Sequence, residues 1–337
     1  MLNFDEARFL RIQSGAVGLA DGLSEAVTAR LAVGARNVFF LGSGGAGILM
    51  YPAASLLQAR SRFGAFTDWA AQIVQTGSAH LGPDSMVVIP SLSGSTAESL
   101  AVLEYAKQAG ATVIALTGRQ DSPLARKADY NFSNEAADDT SSESFYLQSL
   151  IIALAIMRQL DEFDGYDATI DQLRQLPQLL VGVKRAAEER AAQLAEAIAA
   201  RPYHIVTGAG SAWPEAFYYG MCILEEMQWI RTRPVHAADF FHGTLELIDD
   251  GVSVLLLKGE DAARPLAERV EAFVPRYGGV LTVLDSADYE LPGISAEVRA
   301  LISPVVLATV LERVDAHLEE ITGHPLTTRR YYKRVEY

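Results

Sequence analysis

The sequence predicts an α/β protein of two similar domains in tandem, each a parallel sheet flanked by helices. Three observations point there. At 337 residues the chain exceeds one ordinary core and suits two domains. Short β-branched runs alternate with Ala- and Leu-rich helical stretches, the pattern of a parallel sheet covered by helices. The two series of runs superpose at a spacing of about 167 residues, as a duplicated unit would.

In chain order, a helical stretch over 5–31 comes first, and strands are expected at 37–41, 86–90 and 112–116. A segment over 166–201, rich in Ala, Glu, Arg and Leu, reads as a helix that carries the chain into the second copy. The domains are therefore set at 1–165 and 166–337. Strands of the second copy are expected at 204–207, 253–257 and 281–284. Even strand spacing alone fits any doubly wound protein. The glycines add to it: Gly42-Ser43-Gly44-Gly45-Ala46-Gly47 follows the first strand of one copy, and Gly208-Ala209-Gly210-Ser211-Ala212 that of the other.

Half of the residues are hydrophobic and 21% are charged, the balance of a compact soluble protein. The formal net charge is −14 with no Lys/Arg stripe, so nucleic acid and anionic membranes are not expected partners. The single cysteine, Cys222, allows no internal disulfide. No charged leader followed by an apolar stretch opens the chain, and the longest apolar run, 147–157, is too short for a bilayer and holds Gln148 and Ser149. A cytoplasmic location is expected.

After the second strand of the first copy comes Ser91-Leu92-Ser93-Gly94-Ser95-Thr96, and a helical stretch starts at once. Such a turn aims backbone N–H groups, hydroxyl donors and the positive end of a helix dipole at one point. That is an anion site without a lysine, although Ser and Thr also serve as plain helix caps. The Gly42–Gly47 turn, expected beside it at the carboxyl ends of the strands, favours binding. At the matching position the second copy reads Lys258-Gly259-Glu260-Asp261, so only the first copy is expected to hold phosphate. A dinucleotide reading of Gly42, Gly44 and Gly47 is weak, because no ribose-binding acid closes the next strand.

In a helix over 215–230, Glu226 would have Cys222 and Ile223 one turn before it and Trp229 and Ile230 one turn after, an apolar face. A carboxylate there suits a group that takes and returns a proton, or else pairs with an arginine such as Arg231 or Arg233. Its neighbour Glu225 faces a more mixed surface and is assigned no chemistry. His242, followed by Gly243, is a second proton-transfer candidate, with His236 in reserve for a structural role.

Ser91-x-Ser93-Gly94-x-Thr96 resembles the phosphate loop of SIS (sugar isomerase) domains, including the isomerase domain of glucosamine-6-phosphate synthase. The resemblance implies two tandem SIS domains of flavodoxin-like, three-layer architecture. It also implies that Ser91, Ser93 and Thr96 hold a sugar phosphate while Ser43, Ser141 and Ser142 line the sugar site. Glu226-Met227-Gln228-Trp229-Ile230, Phe240-Phe241-His242-Gly243 and the tail 324–331, ending Val335-Glu336-Tyr337, resemble the fructoselysine 6-phosphate and fructose-asparagine 6-phosphate deglycases. In that family the counterparts of Glu226 and His242 are the essential acid/base residues. Arg330 stands where the synthase has its C-terminal lysine, and Lys333 is three positions late, so Arg330 joins the substrate-binding candidates.

The reaction so implied converts a fructosamine 6-phosphate and water into glucose 6-phosphate and an amino acid, with no cofactor and no metal. The partner is a small sugar phosphate, and a homodimer or higher homo-oligomer is expected. The alternatives are an isomerase or deaminase of aminosugar phosphates and a non-catalytic sugar-phosphate sensor. A sensor of that type usually carries a basic DNA-binding helix pair, which is not evident here.

Overall fold

Runs of β-branched and large apolar residues form the centres of two parallel sheets in a computed structural model that describes residues 1–136, 141–332 and 334–336. The chain divides into two units, Asp5–Leu179 and Leu180–Tyr337, with Met1–Phe4 belonging to the second.

In the first unit, α1 (Glu6–Gly18) and α2 (Ala20–Ala32) precede β1 (Asn37–Gly42). Then follow α3 (Gly44–Ile48), α4 (Tyr51–Arg60), β2 (Gly64–Trp69), α5 (Ala70–Thr76) and β3 (Ser85–Ser91). The unit continues through α6 (Ala97–Gln108), β4 (Thr112–Thr117), α7 (Pro123–Lys127), β5 (Tyr130–Ser133) and α8 (Ser141–Gln159). The sheet order is β2-β1-β3-β4-β5, all parallel. The connections leave β1 in opposite directions, so the loops after β1 and β3 flank the switch point at the carboxyl ends of the strands. Phe39, Leu41, Val87, Ile89, Val113 and Ala115, alternate residues that point to one face of the sheet, share one buried cluster, while Val38, Phe40, Val88 and Ile114 on the other face are buried as well.

The helix expected over 5–31 is two helices with a break at Leu19, next to Gly18, a poor helix former. Asp5 caps α1 by accepting from the Arg8 N–H at 2.9 Å.

The long helix α9 (Tyr166–Ala199) crosses the division between the units, which falls at 179/180 rather than at the helix start. From there β6 (Tyr203–Gly208), α10 (Ala212–Tyr218), β7 (Arg231–His236), β8 (Ser253–Lys258), α11 (Arg264–Phe273), β9 (Val280–Asp285) and α12 (Ala296–Thr322) follow. The second sheet is also parallel, in the order β7-β6-β8-β9. Its core gathers Ile205, Val254, Leu256, Ala267, Val270 and Phe240. The N-terminal residues are fastened here: Leu2 donates its N–H to Glu188 Oε1 at 2.7 Å, and Arg313 Nη2 donates to the Leu2 carbonyl at 2.5 Å. No helix among the described residues is long and apolar enough to cross a membrane.

Candidate active site

The candidate residues fall into two groups, one in each unit. In the first unit they begin where β1 ends. A Cβ at Gly42 would stand 2.5 Å from Gly47 Cα, so the chain doubles back there only with glycine. The turn leaves Ser43 half-buried at the N-cap of α3, its hydroxyl making no cap bond.

The loop after β3 is organised by its own hydroxyls. Ser91 is buried, its Oγ lies 3.1 Å from Thr96 Oγ1 and it accepts the Gly94 N–H at 3.2 Å. Ser93 Oγ accepts from Ser95 Oγ at 3.2 Å and from Ser95 N–H at 3.4 Å. Thr96 is the N-cap residue of α6 but makes no side-chain bond to a helix N–H; its hydroxyl lies between Ser91 Oγ at 3.1 Å and Ser99 Oγ, which donates to it at 3.4 Å. Gly94 takes φ +59°, and a Cβ there would meet Ser122 Oγ at 2.0 Å. The following segment fastens the loop, with Gly118 N–H on Leu92 O and Leu124 N–H on Gly94 O, both at 3.0 Å. Ser141 opens α8 and its side chain lies outside the described residues. Ser142 is buried and donates to the Glu143 carboxylate at 3.4 Å.

The corresponding loop of the second unit is closed by charge. Lys258 Nζ bonds Glu271 at 2.7 Å and lies 3.4 Å from Asp285, Glu260 pairs with Arg299 at 2.7 Å, and Asp261 accepts the Ser211 N–H at 2.6 Å. Its charged groups are spent on each other and on backbone, whereas the groups that bond one another in 91–96 are neutral hydroxyls and loop N–H groups.

The stretch expected as one helix over 215–230 changes character instead. α10 ends at Tyr218, Tyr219–Glu225 winds as a π-helix, and Glu226 sits in the turn that follows. The wider winding breaks the spacing on which an apolar face for Glu226 depends. Its side chain is 33% exposed, and Oε1 accepts from Arg329 Nε at 2.8 Å. Neither Arg231 nor Arg233 pairs with it; Arg233 donates to Thr244 Oγ1 at 3.2 Å. Glu225 instead accepts from Thr232 Oγ1 at 2.6 Å and from its N–H at 3.2 Å, tying the turn to β7.

The C-terminal tail lies against this turn. Gln228 Nε2 donates to the His324 carbonyl at 2.8 Å, and Thr322 Oγ1 donates to Gln228 Oε1 at 3.0 Å. The Trp229 ring meets His324 edge-on, at 4.3 Å between centroids, and Arg330, whose guanidinium carbon lies 3.8 Å from the ring centroid. Trp229 adopts φ +57°, which a bulky side chain takes only when its surroundings hold it there. Arg330 thus stacks on Trp229, while the residue before it, Arg329, reaches Glu226. Lys333 lies outside the described residues.

His242 is exposed in a turn, with its N–H on the Asp239 carbonyl at 2.9 Å and Gly243 following at φ +137°. No hydrogen bond joins it to Glu226 among the described residues. His236 is half-buried, its Nδ1 accepts the Ala238 N–H at 3.0 Å, and burial holds its pKa below the usual value against the opposing charge of Asp239. Trp213 packs edge-on to it at 5.4 Å.

The SIS domain family matches residues 33–158. The fructosamine deglycase FrlB of Bacillus subtilis (strain 168) is 33% identical over 303 residues, spanning 89% of this chain and 92% of that protein. The fructoselysine 6-phosphate deglycase of Escherichia coli (strain K12) is 28% identical over 239 residues, 71% of this chain and 68% of that one. A crystal structure from Bacillus subtilis, of a candidate phosphosugar isomerase, superposes with a TM-score of 0.85 at 31% identity over 93% of this chain and 100% of the other.

Proposed function

The chain belongs to the SIS-domain family of these deglycase relatives, and we propose that it cleaves a fructosamine 6-phosphate to glucose 6-phosphate and an amino acid. The observation that carries the reading is the setting of Glu226. One carboxylate oxygen is taken by Arg329 at 2.8 Å, the other makes no hydrogen bond among the described residues, and the side chain is exposed enough to meet a ligand.

In this mechanism the hydroxyls and N–H groups of 91–96, at the start of α6, hold the phosphate, with Ser43 and Ser142 toward the sugar. Glu226 removes a proton from C1 of the open-chain ketosamine, giving an enaminol. It returns a proton to C2, giving an imine between C1 and the substrate's own nitrogen. Water adds to C1, the C–N bond breaks and the amine leaves with a proton, so the imine is hydrolysed to aldehyde and free amino acid. One base working on adjacent carbons serves both transfers. His242 serves ring opening or the proton traffic of hydrolysis. The imine nitrogen comes from the substrate, which fits an arginine at position 330, where a protein amine is not needed. The enzyme works in the cytoplasm as a homodimer or higher homo-oligomer.

Purified protein is given fructoselysine 6-phosphate, fructose 6-phosphate or unphosphorylated fructoselysine, and glucose 6-phosphate or glucose is measured. Turnover of the first with little of the other two supports the deglycase. Fast conversion of fructose 6-phosphate would assign the protein to isomerases, and saturable binding without any turnover would make it a sensor.

A further inference from the structure

We propose that Arg329 is the positioning residue of the reaction: its guanidinium fixes the Glu226 carboxylate so that one oxygen is committed and the other is aimed as the base. The inference rests on the reading of Glu226 as the proton-transfer group.

The geometry is specific to Arg329. Its Nε donates to Glu226 Oε1 at 2.8 Å, while Nη1 donates to the Leu326 carbonyl at 2.5 Å and to the Thr328 carbonyl at 2.9 Å. A guanidinium presents donors in a rigid plane, so binding two backbone oxygens with one nitrogen sets the direction of the donor on Nε. The side chain is only 16% exposed. Its anchoring carbonyls belong to the tail, and the tail is held to the Glu226 turn at other points, by Gln228 on the His324 carbonyl and by the Trp229 ring against His324 and Arg330. The tail is therefore a frame carrying a fixed donor, and the turn that ends the π-helix is braced against it.

The chemistry needs such a brace. Glu226 follows a π-helical segment at the point where regular winding ends, and its side chain is one-third exposed, so neighbouring packing alone does not hold the carboxylate in place. A base that serves C1 and then C2 has to stay within hydrogen-bond reach of both carbons, and a committed oxygen removes one rotational freedom from it. Arg329 does not touch the sugar in this account. It acts through Glu226.

The test is chemical rescue. Arg329→Ala should lower kcat by about 10–100-fold, the loss expected for one charge-assisted hydrogen bond, while KM for fructoselysine 6-phosphate changes much less. Added guanidinium ion should restore part of kcat to Arg329→Ala and none to Glu226→Gln, whereas a purely structural loss would not respond to it. Wild-type or raised kcat in Arg329→Ala overturns the inference, as does a loss confined to KM or one that guanidinium leaves unchanged. The two layers separate: if Glu226→Gln keeps its kcat, the reading of Glu226 itself fails, and if only Arg329→Ala keeps it, the positioning role alone fails.

Discussion

Arg329 and Glu226, 103 residues apart in sequence, are joined by a 2.8 Å hydrogen bond from Nε to Oε1. The bond ties the C-terminal tail to the turn that carries the proposed base. Sequence spacing offers Glu226 two nearer partners, Arg231 and Arg233, and β7 carries both of them away along its strand. The half-exposed, ion-paired carboxylate is thus a different object from the apolar-faced one that a regular helix would have produced.

The loop 91–96 should govern affinity for phosphate more than turnover. Changing Ser91, Ser93 and Thr96 to Ala together removes hydrogen bonds to a charged group, each contributing about 1.5–3 kcal/mol. KM for fructoselysine 6-phosphate is expected to rise far more than kcat falls, and the preference over unphosphorylated fructoselysine should vanish. Steady-state kinetics with both compounds checks this, and a surviving preference would place the phosphate elsewhere. Because Ser91 also braces Thr96 and Gly94, and Ser93 accepts from Ser95, Tm measured on the single variants separates loop damage from lost phosphate contact.

Gly94→Ala should damage the same loop through backbone and sterics together. The residue would be strained at φ +59°, and its Cβ would collide with Ser122 Oγ. Strain of this kind costs about 1–3 kcal/mol before the clash is counted. A lower Tm accompanied by a raised KM is expected, and unchanged values of both would mean that the loop can shift freely.

His242→Ala should lower kcat by about 100-fold or more, and His236→Ala much less. His236 already spends Nδ1 on the Ala238 N–H and is biased toward its neutral form by burial, whereas His242 is exposed and followed by glycine. The same glucose 6-phosphate assay on the two variants decides it, and the reverse ranking would exchange their roles.

Acid should loosen the second unit in a window set by Glu188. Burial works to raise its pKa, but hydrogen bonds from Arg313 and the Leu2 N–H, with the charges of Arg313 and His317, outweigh it and hold the carboxyl at about 2 against 4.5 for an ordinary glutamate. A depressed folded-state pKa stabilises the protein above pH 4.5, and that contribution is lost as pH falls toward 2. Denaturant titrations should show wild-type stability falling through this window, with a shallower slope for Glu188→Gln. Parallel slopes would show that Glu188 does not carry the effect.

How much of this was legible depended on burial. The runs 37–41, 86–90, 112–116, 204–207, 253–257 and 281–284 all lie within observed strands. Most are central and covered on both faces, so they read as near-continuous apolar runs. Edge strands other than β9 did not announce themselves: Gly64–Trp69 and Tyr130–Ser133 mix polar residues with large apolar ones, and Arg231–His236 contains Pro234, which is tolerated at an edge and argues against a strand when read alone. The hydroxyl loop was visible because its residues are contiguous and run directly into α6. The π-helical segment before Glu226 was not, since no residue there marks the change of winding. Nor was Arg329: in a Thr-Arg-Arg-Tyr tail, only the folded path decides that one arginine meets Glu226 while the next stacks on Trp229.

The most direct test is glucose 6-phosphate release from fructoselysine 6-phosphate by Glu226→Gln beside wild type, with substrate binding measured on both by calorimetry. The amide keeps the shape of the side chain and removes the base. Turnover by wild type, with normal folding, retained binding and a kcat lower by several orders of magnitude in Glu226→Gln, is the result expected. Undiminished release from Glu226→Gln, or none from wild type, would contradict the account.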